Sequence, residues 1–146
     1  MDHASFKLLG LPQVQKRIKK VKDAVTYRKK ANAQALAVVD RWVQKNFQGE
    51  GGNVGGWAPL QAQTIKARKR NKGKVKILQD VGWLRKKWKY DYSNTHAALV
   101  SGVNYGKFHD EGTQHLPVRQ IVPKKPEIWP EIEKVFALHL RKAIHL

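Results

Sequence analysis

Trp88-Lys89-Tyr90-Asp91-Tyr92-Ser93-Asn94-Thr95-His96, followed after Ala97 by Ala98-Leu99-Val100-Ser101-Gly102-Val103, is the stretch on which the fold turns. Residues 88–92 alternate aromatic and polar side chains, the period of a strand with one covered face, and residues 98–103 do so more weakly. The polar run Ser93–His96 between them has turn composition. A hairpin is therefore expected here.

On either side of the hairpin the period changes. From Pro12 to about Phe47 the apolar residues Val14, Ile18, Val21, Val25, Leu36, Val39 and Val43 recur every three or four positions, which is helical spacing. Unbroken, this helix would run roughly 50 Å. Tyr27-Arg28-Lys29-Lys30 interrupts its apolar stripe and marks the place for a break. Gly49, Gly51 and Gly52 end the pattern, and the glycine-rich stretch 48–56 reads as a flexible loop or sharp reversal. It has no Gly-Lys-Ser/Thr ending of a phosphate-binding loop. Gln63–Arg68 forms a short helix by propensity, and the basic run Lys66, Arg68, Lys69, Arg70, Lys72, Lys74 and Lys76 is expected to be exposed.

Beyond the hairpin, Tyr105–Thr113 is a helical turn closed by Gly112. Leu116–Pro123 is extended between prolines. Pro126–Ile144 is an amphipathic helix whose early acids (Glu127, Glu131, Glu133) and later bases (Lys134, Arg141, Lys142) suit the helix dipole. The expected class is α+β: a small antiparallel sheet packed against a long N-terminal helix and a C-terminal helix.

The chain has 146 residues, enough for one core, and no cysteine, which excludes disulfides and thiolate metal sites. No apolar run approaches a bilayer span, and Met1–Lys7 lacks the form of a secretory signal, so a soluble chain made in the cytosol is expected. Lys and Arg number 29 against 11 acids, a net charge of +18, with 16 bases and 4 acids in residues 1–73. Such a balance points to a polyanion or to an acidic protein surface. Lys16, Arg17, Lys19, Lys20 and Lys22 cluster early in the first helix, as a solvated face or a docking face.

Several motifs in order resemble a known family. Trp57-Ala58-Pro59-Leu60, then Thr64 and Arg68, then Leu78 to Gly82 and Leu84, are similar to the Trp-x-Pro-Leu, Thr-x-x-x-Arg and Leu-x-x-x-Gly-x-Leu segments of the phage virion morphogenesis (tail completion) family of Mu-like phages. Tyr105-Gly106-Lys107-Phe108-His109-Asp110-Glu111-Gly112 resembles its Tyr-Ala-x-x-His-x-x-Gly element, and Leu116-Pro117-Val118-Arg119 its Ile-Pro-Ala-Arg. The same end of the chain resembles lambdoid head–tail joining (neck) proteins. Gly106 replaces the usual alanine, Trp83 a usually polar residue, and Gln120-Ile121-Val122 an expected Phe-Leu pattern. The likeness covers about residues 40–145; the first 35 residues match nothing placed. It divides a single domain, 1–146, into a basic helical region (1–47), a glycine loop (48–56) and a family-like α+β core (57–146).

The resemblance implies a virion protein of a tailed bacteriophage, at the neck or tail end, assembled in the host cytoplasm. It implies a ring with copies of itself, commonly six-fold, between the head-connector or stopper proteins and the tail terminator or tail tube. DNA then passes through with nonspecific contact, and neither catalysis, cofactor, metal nor membrane is involved. The interface residues expected are Lys16, Arg17, Lys19, Lys20, Arg68, Lys69, Arg70, Asp110, Glu111 and Arg119. The structural landmarks expected are Trp57, Pro59, Leu60, Gly82, Leu84, Tyr105, Gly112 and Pro117.

Physical roles follow for some of these. Trp57 and Leu60 are expected as core plugs, Gly82 as a point of close approach, and Gly112 as a left-handed helix stop. Arg119, fixed behind a proline, is expected to pair its rigid fork with Asp110 or Glu111, within the subunit or across the ring, so that Arg119→Lys weakens assembly. His109 and His115, and His139 and His145, are six apart and do not share a helix face as metal ligands would. The alternative function is a nucleic-acid-binding protein using lysines at 16–30 and 66–76 on phosphates. The tryptophans are not interleaved with those runs, which favours packing over base stacking. A basic toxin or nuclease would need a carboxylate–histidine constellation that the sequence does not offer.

Overall fold

A computed structural model describes residues 10–71 and 75–145. The expectations for Met1–Lys7, for Lys72 and Lys74, and for the side chain of His145 lie outside the described residues. In chain order the helices are α1 (Leu11–Thr26), α2 (Lys29–Gln48), α3 (Ala62–Arg70) and α4 (Trp83–Lys86), then strands β1 (Trp88–Tyr92) and β2 (Ala97–Ser101), then helices α5 (Gly106–Glu111) and α6 (Lys125–His145). The class is α+β, as read from the sequence.

The N-terminal helical region is two helices, broken where the apolar stripe fails. Tyr27 leaves helical geometry at φ −100°, ψ 64° while its N–H still bonds to Asp23 O at 2.7 Å. What restarts the helix comes from far along the chain. The Asn94 side-chain oxygen in the hairpin turn accepts the Lys29 N–H at 2.9 Å, satisfying a donor that a helix start leaves open. Arg28 Nε donates to Asn94 O at 2.9 Å, and Asn32 Nδ2 to Ser93 O at 2.7 Å. The hairpin pairs Trp88 with Ser101, Tyr90 with Leu99 and Tyr92 with Ala97. Its second strand starts one residue earlier than the alternation suggests and ends at Ser101, because Ser101 Oγ turns to bond Val103 O.

The core lies where α2, α4 and the segment after α5 meet: Val43, Phe47, Trp57, Leu84 and Ile121. Phe47 and Trp57 meet edge to face, centroids 5.1 Å apart, a favoured aromatic geometry. The glycine stretch is a sharp reversal that delivers Trp57 to this cluster. Gly51 sits at φ 93°, and a Cβ there would lie 2.5 Å from Trp57 N, so only glycine lets the chain double back so closely.

Buried polar side chains bind these segments together. Asn46, fully buried in α2, donates from Nδ2 to Gln120 O at 2.8 Å and accepts the Asn53 N–H at 3.3 Å. Gln79 donates to Phe47 O at 2.8 Å and accepts from Arg85 at 3.3 Å. Each such group would be costly if left unpaired in the interior. α6 packs on both α1 and α2, and His139 Nε2 lies 3.1 Å from Ala24 O.

Candidate functional site

Most of the landmarks picked from the sequence surround one cleft of about 430 Å³. Pro59, Leu60, Thr64 and Arg68 come from the α3 side, Gly82, Trp83 and Leu84 from the start of α4. Tyr105 and His109 come from α5 and its approach, and Pro117 and Arg119 from the extended segment. Segments up to 60 residues apart thus meet at a single concavity.

Arg119 fixes how they meet. It is only 7% exposed, and its Nε donates to Ala58 O at 3.0 Å while Nη2 donates to Pro59 O at 3.2 Å. Its own N–H bonds to His109 O at 2.7 Å. The expected pairing with Asp110 or Glu111 is therefore not made within the subunit. The prolines at 59 and 117 hold both strands of chain extended, so the fork faces two neighbouring carbonyls rather than a carboxylate. Asp110 instead accepts the N–H groups of Ile121 and Val122 from the other side of the same segment. Glu111 is exposed.

The cleft is electropositive. Arg68 is also drawn inward: Nη1 donates to Lys76 O at 2.8 Å, and Nε lies 3.8 Å from Asp80. It is thus not the freely exposed cation that the basic run suggests, whereas Lys69 and Arg70 are exposed. Burial, and then the nearby charge of Arg68, push the Arg119 pKa below its ordinary value. A guanidinium nevertheless stays charged in a protein. Burial and then Arg119 likewise lower the pKa of His109, which keeps that ring neutral at neutral pH. His109 Nδ1 is buried without a hydrogen-bond partner, and Tyr105 meets the ring edge to face at 6.3 Å.

Three other landmarks act differently from expectation. Leu60 is only partly buried, on the cleft wall, rather than a core plug; Trp57 fills the core and donates from Nε1 to Gln120 O at 2.8 Å. Gly82 adopts left-handed geometry (φ 77°, ψ 7°) at the start of α4, with nothing nearer its missing Cβ than Lys86 Cε at 3.8 Å, so handedness and not close approach requires it. Gly112 has positive φ but an extended ψ of 171°, a region open essentially to glycine alone, and a Cβ there would lie 2.8 Å from Val118 Cγ2.

The α1 cations do not line the cleft. Lys16, Arg17 and Lys19 are exposed and Lys20 is partly covered. Most of the apolar stripe of α1 is open as well: Leu11, Val14, Ile18 and Val25 are all at least 48% exposed, while Val21 is partly covered. Leu138 and Ile144 of α6 are similarly open.

The chain matches the model of the phage virion morphogenesis family over residues 10–131, most of its length, and it is a member of that family. The match takes in α1, including residues that the motif resemblance did not reach. No curated protein and no solved structure matches it. Membership gives the chain a structural, assembly role in the bacteriophage virion. Among the described residues no helix is long and apolar enough to cross a membrane.

Proposed function

We propose that this protein is a neck or tail-completion subunit that joins the head connector to the tail by forming a ring with copies of itself. The observation that carries the reading is α1. Leu11, Val14 and Ile18 form an apolar stripe, yet they are 48%, 52% and 63% exposed. Apolar area is removed from water at roughly 25 cal/mol per Å², so such a stripe is a reservoir of association energy. The flanking Lys16, Arg17 and Lys19 steer the encounter and fix its register on acidic surfaces, for which Glu127, Glu131 and Glu133 of α6 in a neighbouring copy are suitable. Repeated head-to-tail, such contacts are of the type that closes rings.

The test is particle assembly. Ile18→Asp, at a residue 63% exposed, should leave the subunit folded but stop it entering particles, giving heads without joined tails in electron micrographs. Normal virions carrying Ile18→Asp, or particle density lacking this chain at the head–tail junction, would refute the proposal.

A further inference from the structure

The cleft has a composition that the assembly reading does not by itself explain. Among the described residues, its permanently charged lining groups are Arg68, Arg119 and a single acid, Asp80. Two guanidiniums, close enough for Arg68 to perturb Arg119, thus stand against one lining carboxylate, which lies 3.8 Å from Arg68. Their donors also hold the carbonyls of Ala58, Pro59 and Lys76, so both cations are locked in place before any ligand arrives. A preorganised cation binds an anion with little ordering cost.

The remaining walls mix polar groups such as Gln61 and Thr64 with an apolar set. Leu60, Leu78, Leu84 and Leu116 line the cleft, and Val81 and Trp83 stand open to solvent, 67% and 51% exposed. Lys87 Nζ sits 3.7 Å from the centroid of the Trp83 ring, a cation–π contact that steadies the indole where it stands.

We infer that this cleft binds an extended segment of a partner protein that presents a carboxylate beside an aliphatic or aromatic side chain. The carboxylate faces the Arg68–Arg119 pair and the apolar neighbour lies against Val81, Trp83 and Leu116. A nucleic-acid backbone fits less well. A phosphate backbone offers no apolar group to cover Val81 and Trp83 at the rim. The inference rests on the assembly reading only in that the segment belongs to another protein.

The experiment uses the full chain, immobilised, and a display library of random peptides about twelve residues long, a span suited to an extended ligand. Enriched peptides should carry Asp or Glu next to an apolar residue, and a synthesised one should shift amide resonances of Trp83, Tyr105 and His109. Replacing the acid by its amide in the peptide should weaken binding about tenfold, equivalent to about 1.4 kcal/mol. Val81→Asp or Trp83→Ala, both at the exposed rim, should weaken it as much without changing the melting temperature. A Lys16→Gln/Lys19→Gln/Lys20→Gln variant should bind as the parent does.

No enrichment, enrichment without a carboxylate, binding lost in the lysine variant but not with Val81→Asp, or displacement of the peptide by duplex DNA would each overturn the inference. These outcomes are read on the isolated subunit. They are therefore independent of whether Ile18→Asp blocks particle assembly.

Discussion

Replacing Arg119 by Met keeps most of the aliphatic stem but deletes the guanidinium that holds Ala58 O and Pro59 O. Hydrogen bonds from charged donors contribute about 1.5–3 kcal/mol each, so two give a gross loss of about 3–6 kcal/mol. Removing a 93% buried cation beside Arg68 returns part of that, because its desolvation and the mutual repulsion vanish together. A net destabilisation of about 3 kcal/mol is expected. For a chain near 150 residues this lowers the melting temperature by about 6–12 °C. Arg119→Lys keeps the charge but replaces a planar fork by a point donor, and should recover about half of the loss. Urea unfolding followed by circular dichroism measures both variants. A Met variant within about 0.5 kcal/mol of the parent, the usual range for surface changes, would refute the reasoning. The carbonyls of the Trp57–Leu60 segment would then be satisfied without Arg119, and the cleft would not depend on it.

Gly112→Ala forces a side chain into positive φ against Val118 and should cost about 1–3 kcal/mol in the same unfolding assay, while Gly82→Asn should cost far less, since asparagine tolerates left-handed geometry and the space is open. Asn94→Ala removes the acceptor for the Lys29 N–H, and should cost about 1 kcal/mol and increase amide exchange in the first turn of α2. The pKa of His109 is lower folded than unfolded. Between those two values the unfolded chain binds more protons, so stability rises with pH there, is fully present above the ordinary histidine value of about 6.5 and is lost on acidification below it. His109→Phe should flatten that slope, and an unchanged pH profile would show that other groups produce it. Duplex DNA should bind weakly and without sequence preference. A log–log salt slope steep enough to imply several neutralised phosphates, at about −0.9 each, together with tight affinity at physiological salt, would favour the nucleic-acid function instead.

Much of this molecule could be read from its sequence because the signals are local. Period-two alternation at 88–92 announced the hairpin, three-and-four spacing announced α2 and α6, and the gap at Tyr27–Lys30 announced the break between α1 and α2. The order of prolines, glycines and Trp57 pointed to a bacteriophage assembly family, since those residues constrain backbone directly and leave a signature in one dimension.

Other features depended on tertiary contacts. Asn32 and Asn46 lie in line with the apolar residues of α2, a polar intrusion into a buried stripe that was the available hint of buried bridging. Their partners, at 93 and 120, could not be inferred from spacing. Arg119 was legible as an oriented fork but not as one facing carbonyls, because its orientation depends on where the Ala58–Pro59 segment lies in space. His109 was set aside for lacking a metal partner at helical spacing, yet packing makes it a partly buried group whose pKa is lowered by burial and then by the Arg119 guanidinium. Sequence determined which segments are helix, strand or bend, since backbone preference acts over a few residues. Only the tertiary structure decided that the motifs enclose one cationic cleft while most of the stripe of α1 stays open, since hydrogen bonding and burial act between groups distant along the chain.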